Sequence, residues 1–336
     1  MIELRHDNLV FSFPEVHPDA ELSIDFQRTL RIPDDDKDYP LPPGLGRFPL
    51  RHVDDFADRL PPQWTEHGGI MLPMHQAEAM WLNFSTDDVD DRAEYPFAIK
   101  VAAGKINAIT GQPWENGLAD YPQDYMVAPK QPWLDGYCVQ KGIIRQFVAM
   151  PLGDGYTAEE QITSHAEHGG LQIWVCPMKR KVFERRFRKR PVRSEADFLM
   201  VPDDYSVMGL AAGGRMKQEI YTDPYDFDDW DQDQSSRCFV HICNSIAWRA
   251  FTTQAPPTTP PTAKEYTDAG MPWFDYYDES VAALDAKKTL EQLKSVKTLG
   301  QEKQSTVLPE NESVTGEDVV HVGPSRTSRI VRDGKF

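Results

Sequence analysis

The alternation of apolar and polar positions predicts strands far more often than helices. Short apolar pieces at 9–11 and 22–26 alternate with turn formers, and the first fifty residues close on the Pro/Gly segment 40–46, a pattern of strands joined by ordered loops. Further apolar pieces rich in β-branched and aromatic residues follow at 70–74, 95–102, 106–110 and 142–151, then at 171–178, 205–211, 216–221 and 237–243. Helical spacing is expected over 53–59, where Pro61 and Pro62 stop the helix because proline donates no amide. It is also expected over 74–84, and over 244–252 with Asn244 or Ser245 as cap.

The pattern changes at 254–262, where four prolines favour a stiff, extended connector. The aromatic run Met271 to Tyr277 is too apolar to hang free and is expected to dock on the body. Residues 280–299 place Val281, Leu284, Leu290, Leu293 and Val296 on one stripe of a single amphipathic helix. From 300 onward the chain is too polar to fold alone, which predicts a mobile tail or one ordered by a partner. The expected fold class is α+β and predominantly β, with sandwich- or barrel-like sheets and a few short helices. A globular region over 1–252 carries it, as one unit or as two subdomains dividing near 140–150. The connector and docked segment at 253–279, the helix at 280–299 and the tail at 300–336 complete it.

Composition narrows the function classes. With 40% hydrophobic residues, eight Trp and sixteen Phe, the chain can bury a core. A net charge of -17 repels phosphate backbones and argues against general nucleic-acid binding. Nowhere do about 18 consecutive apolar residues occur, so no transmembrane helix is expected. The N-terminus interleaves charges with apolar residues rather than presenting an export signal, and the four cysteines are too few for a disulfide scaffold. A cytoplasmic protein with reduced thiols is the expectation.

Candidate chemistry concentrates in 152–170. This loop gathers Glu159, Glu160, His165, Glu167 and His168 within ten residues. If 165–168 were helical, His165 and His168 would share a metal, with Glu159 or Glu160 as third ligand. The spacing H-x-E-H is one residue short of the zinc-protease patterns. His67 enters through an echo: Glu66-His67-Gly68-Gly69 recurs as Glu167-His168-Gly169-Gly170, each leading into an apolar strand. The echo reflects either a shared loop-to-strand turn or a duplication. Its His-Gly-Gly pieces resemble the oxyanion turn of esterases, but the chain lacks the G-x-S-x-G elbow.

Cys238, His241 and Cys243 lie on one strand, where alternation separates Cys238 from the other two and makes them core fillers. The acidic run 223–233 holds six aspartates, yet its match to a calcium loop fails because Val240 stands where the closing Glu belongs. The opposite charge fills 179–193, where nine of fifteen residues are basic. Arg185, Arg186 and Arg188 in that segment either bind an external anion, lipid headgroup or acidic partner, or neutralise the chain's own acidic loops.

Three functions follow as expectations. The first is a non-catalytic structural or interaction protein that self-associates or binds a protein partner, with Leu290 and Leu293 as contact residues and no cofactor. The second is a metal-dependent, hydrolase-type enzyme in which His165, His168 and His67 hold a divalent metal, and Glu159, Glu160 or Glu167 moves the proton. The third is an anion- or lipid-binding module built on the basic segment.

Overall fold

The computed structural model describes residues 1–35, 37–90, 92–187, 206–276, 282–304, 312–315 and 319–321. The strands that place the site are β1 (Ile2–Arg5), β2 (Asn8–Ser12), β3 (Glu21–Thr29), β4 (Ile70–Met74), β5 (Ala79–Thr86), β6 (Phe97–Ala103), β7 (Ile106–Asn107) and β8 (Met126–Ala128). They continue with β9 (Ile143–Pro151), β10 (Leu171–Pro177), β11 (Ser206–Lys217), β12 (Ser236–Asn244), β13 (Trp273–Asp275) and β14 (Val319–His321). The helices used below are α1 (Pro62–His67), α2 (Ala158–Thr163), α3 (Arg180–Arg186), α4 (Ser245–Thr252), α5 (Lys288–Glu291) and α6 (Val296–Glu302).

Period-two patterning builds the strands. Leu22, Ile24 and Phe26 of β3 are fully buried, as are Leu171, Ile173 and Val175 of β10, while Gln172 and Trp174 alternate to the opposite face. One wing runs β1-β2-β3-β5-β9-β11, every pair antiparallel. The other runs β8-β6-β10-β12-β4, with only β4 parallel to its neighbour. Residues 206–208 of β11 pair with 242–244 of β12, so the wings belong to one extended sheet. A continuous core takes Ile24, Phe84 and Phe147 from the first wing and Phe97, Ile173 and Val240 from the second. The fold is therefore predominantly β with a few short helices.

Three local expectations change. Residues 74–84 do not form a helix: a turn at Glu78, with Ala77 at φ 64, separates β4 from β5, and β5 finds its ladder partner in β3. Residues 280–299 do not form one helix either. The described part holds two short ones, the second opened at Ser295, whose Oγ accepts the Thr298 amide. Part of the expected free tail returns to the body, since β14 pairs with β13 and Val314 shares an apolar cluster with Tyr39 and Trp273. The Pro-rich segment is likewise tied down, because Arg28 donates to the Thr258 carbonyl at 2.7 Å.

One buried acid gives the fold a pH dependence. Asp135 is enclosed, accepts a hydrogen bond from Gln218 Nε2 at 2.7 Å, and is pushed by burial up to about 7. A folded value above the unfolded one means the protonated acid contributes stability that is complete below about pH 4 and lost as pH rises through about 7. Asp135→Asn is expected to raise the melting temperature near pH 8 and to flatten its fall between about pH 5 and 8, an effect on the order of 3 kcal/mol. Thermal melts across that range check this; a variant less stable than the parent near pH 8 contradicts it.

Candidate functional site

The outward face of the second wing carries the cleft. Across β6, β10 and β12 the register aligns Lys100, Trp174 and Arg237 in one row and Ala102, Gln172 and Phe239 in the next. Alternation sends Ile173 and Val240 inward to the core, so Trp174, Gln172, Arg237 and Phe239 share the opposite face. Three connections rise around this floor: the C-terminal end of α1 with His67, the turn between β6 and β7 with Lys105, and the following loop with Trp114 and Asn116. They enclose about 510 Å³.

The overhanging loop is held from beneath. Lys100 is buried, donates from Nζ to the carbonyls of Glu115 at 2.9 Å and Gly117 at 2.8 Å, and pairs with Asp124. Asp124 in turn accepts the Ala119 amide at 2.8 Å. The same ammonium lies 5.3 Å from the Trp114 ring centroid, a cation–π distance. The cations facing the cleft are placed differently. Among the described residues no carboxylate lies within ion-pair distance of Lys105 or Arg237, and the guanidinium of Arg237 donates one hydrogen bond, from Nη1 to Asn116 Oδ1 at 3.3 Å.

The echoed segments meet beside this floor. Ile70 and Leu171 both stand opposite Val240, on either side of β12, with β4 parallel and β10 antiparallel to it. Both entering turns press on the β12 backbone: a Cβ on Gly69 would lie 2.1 Å from the Phe239 carbonyl oxygen, and one on Gly170 2.4 Å from that of Val240. Close approach thus explains Gly69 and Gly170, while Gly68 and Gly169 supply positive φ at 62° and 60°. The same approach brings the rings of His67 and His168 to 6.4 Å and those of His67 and His241 to 6.5 Å. His241 stacks on Trp64 and Phe239 and lies 3.0 Å from the Gly68 carbonyl, which its neutral Nε2–H serves as donor. Burial pushes its pKa down to about 4. Burial and the Lys105 charge also lower that of His168.

The acid cluster expected over 159–168 has another occupation. Helix α2 ends where Ser164 turns left-handed at φ 61, so 165–168 is not helical. Glu160 closes the capping box with Thr157 and also accepts the amides of Gly153 at 2.9 Å and Gly155 at 2.7 Å. Glu159, 3% exposed, accepts the amides of Glu167 and His168, each at 2.9 Å, and of Gly169 at 2.8 Å. Both carboxylates are spent on the chain's own donors, all of them backbone amides except the Thr157 hydroxyl on Glu160. His165 stands exposed, 4.0 Å from the exposed Glu167. No metal-capable group among the described residues contains His67, His165 or His168.

The structure assembles a different metal-capable group, His17, Asp19 and Asp90, whose ligand atoms lie within 4.8 Å of one another. His17 Nδ1 already accepts the Asp19 amide at 3.2 Å, which puts the proton of a neutral ring on Nε2, and Arg92 sits 3.6 Å from Asp90. An ion there must displace that proton and share Asp90 with a guanidinium. Nothing local in the sequence links 17–19 to 90.

The remaining candidates turn inward on the chain. Arg186 pairs with Asp226 and Asp229, each at 2.6 Å, and Arg185 lies 3.7 Å from Asp229. Arg185 and Arg186 therefore pair with the acidic run, while Arg188 lies outside the described residues. Leu290 and Leu293 are buried in the chain's own core. All four cysteines are buried, and desolvation pushes the thiols of Cys138 and Cys238 up to about 12. No helix among the described residues is long and apolar enough to cross a membrane. No protein-family model, curated protein or solved structure matches the chain, which leaves the cleft's own chemistry as the ground for assigning a function.

Proposed function

We propose that the chain is a non-catalytic binding protein that takes a small anionic ligand in the cleft over β10 and β12. The observation that carries the reading is the pair Lys105 and Arg237, which line a cleft without a carboxylate partner among the described residues, in a chain of net charge -17. Charged side chains at a concave site are stabilised by an opposite charge, and a guanidinium binds carboxylate or phosphate through two parallel hydrogen bonds. The volume lies within the range of small-molecule sites, roughly 300 to 1,000 Å³. Support for binding over turnover comes from Glu159 and Glu160, whose oxygens face backbone amides. Arg185, Arg186, Leu290 and Leu293, which suggested a protein partner, have partners within the chain.

Thermal-shift measurements over small carboxylates, phosphates and sulfonates, each beside its neutral amide or alcohol, test this reading. An acid that saturates the site should stabilise the parent by about 2.7 kcal/mol at a hundredfold excess over Kd. The Lys105→Gln/Arg237→Gln variant should melt as the parent does and show no shift. A parent indifferent to every acid, or a shift that survives in the variant, contradicts the proposal.

A further inference from the structure

We infer that the ligand of this cleft joins its anionic group to a flat aromatic or heteroaromatic ring. The inference rests on the reading of the cleft as an anion site and adds the chemistry of the rest of the ligand. Two flat side chains line the space: Phe239 from the floor and Trp114 from the overhanging loop. Both are held before any ligand arrives. Phe239 lies against His241 at 4.7 Å with the rings 14° apart and against His67 at 4.7 Å. Trp114 is fixed by Lys100 below it and by its own Nε1–H, which donates to Asn116 Oδ1 at 3.3 Å. Pre-placed aromatic surface favours a planar partner, because neither side chain loses further rotamer freedom on binding.

Size and polarity point the same way. A bare oxyanion occupies only a small part of the roughly 510 Å³, so the cleft has room for a ring joined to the anionic group. Asn116 Oδ1 accepts from both Trp114 and Arg237, so its NH₂ remains a donor at the rim for a ring heteroatom or a second ligand oxygen. The guanidinium of Arg237 matches an oxyanion in the plane of its fork and an aromatic ring on its face. The lining thus presents cationic, aromatic and amide groups together.

Calorimetric titration of the full-length protein with 2-naphthoate, 2-naphthamide and inorganic phosphate tests the inference. 2-Naphthoate is expected to bind one site, with 2-naphthamide and phosphate each at least tenfold weaker. Trp114→Leu should weaken 2-naphthoate at least fivefold without altering phosphate, and Trp114→Phe should restore most of the loss, which separates a lost stacking surface from a lost fold. Arg237→Gln should weaken both anions. If phosphate binds as tightly as 2-naphthoate and Trp114→Leu is silent, the ring is overturned and the anion site stands. If 2-naphthamide equals 2-naphthoate, if Arg237→Gln is silent, or if no probe binds, the anion site fails and the inference with it.

Discussion

Glu159→Ala is expected to destabilise the protein by roughly 3–5 kcal/mol, since it orphans backbone donors that have no other acceptor. The carboxylate receives the amides of Glu167, His168 and Gly169, and its side chain is nearly inaccessible to water that would otherwise replace it. The brace also reaches the cleft. A Cβ on Gly104, the residue before Lys105, would lie 2.4 Å from Glu159 Oε2, so the turn carrying Lys105 is packed directly on this carboxylate. Glu159→Gln should cost about half as much, because the amide retains one acceptor but turns a donor toward an N–H. Urea denaturation reads the loss, and hydrogen exchange should accelerate at 167–169 before it does elsewhere. A catalytic Glu159 would instead leave stability unchanged or improved, and that outcome would contradict a bracing role for this carboxylate.

The second large effect is expected at the ion pair between Arg28 of β3 and Glu78 of the turn before β5. Both side chains are essentially buried, at 2% and 0% exposure, and Arg28 Nε meets Glu78 Oε1 at 2.7 Å. Glu78 Oε2 also accepts the His75 amide at 2.8 Å, which shapes the turn that separates β4 from β5. Removing either partner strands a charge in the interior, so Glu78→Ala or Arg28→Ala should each cost about 3–5 kcal/mol. The Arg28→Met/Glu78→Met double variant, which removes both charges and keeps volume, should recover much of that loss. Because Arg28 also holds Thr258, the single Arg28 variant should expose the Pro-rich segment to protease while the rest of the chain stays folded. Equal losses in the single and double variants would show that packing, not charge, dominates.

The sequence made the strands legible wherever one face is buried. The set Cys238, Val240 and Ile242 separates from Arg237, Phe239 and His241 by alternation alone. The 74–84 region misled because its apolar residues also fit a helical stripe, and its turn rests on a left-handed Ala77 with no glycine to mark it. The 280–299 stripe is continuous by spacing alone, but Ser295 is a capping residue that opens a second helix within it. At the candidate site, the Glu-His-Gly-Gly echo drew attention to two turns that meet at β12. Thr157-Ala-Glu-Glu160 is itself a capping-box pattern and marks Glu160 as structural from sequence alone. Lys105, Trp114 and Arg237 had no such signal. They meet because β6, β10 and β12 pair in one particular register, and cross-strand neighbours are set by distant chain rather than by local spacing.

A crystal structure of the full-length protein grown with 2-naphthoate examines the cleft most directly. The expected result is the ring against Trp114 and Phe239, with its carboxylate in hydrogen-bond reach of Lys105 and Arg237. A ligand seated elsewhere, or a cleft in which Lys105 and Arg237 hold carboxylates of the chain itself, would contradict the assignment of this cleft as an anion-binding site.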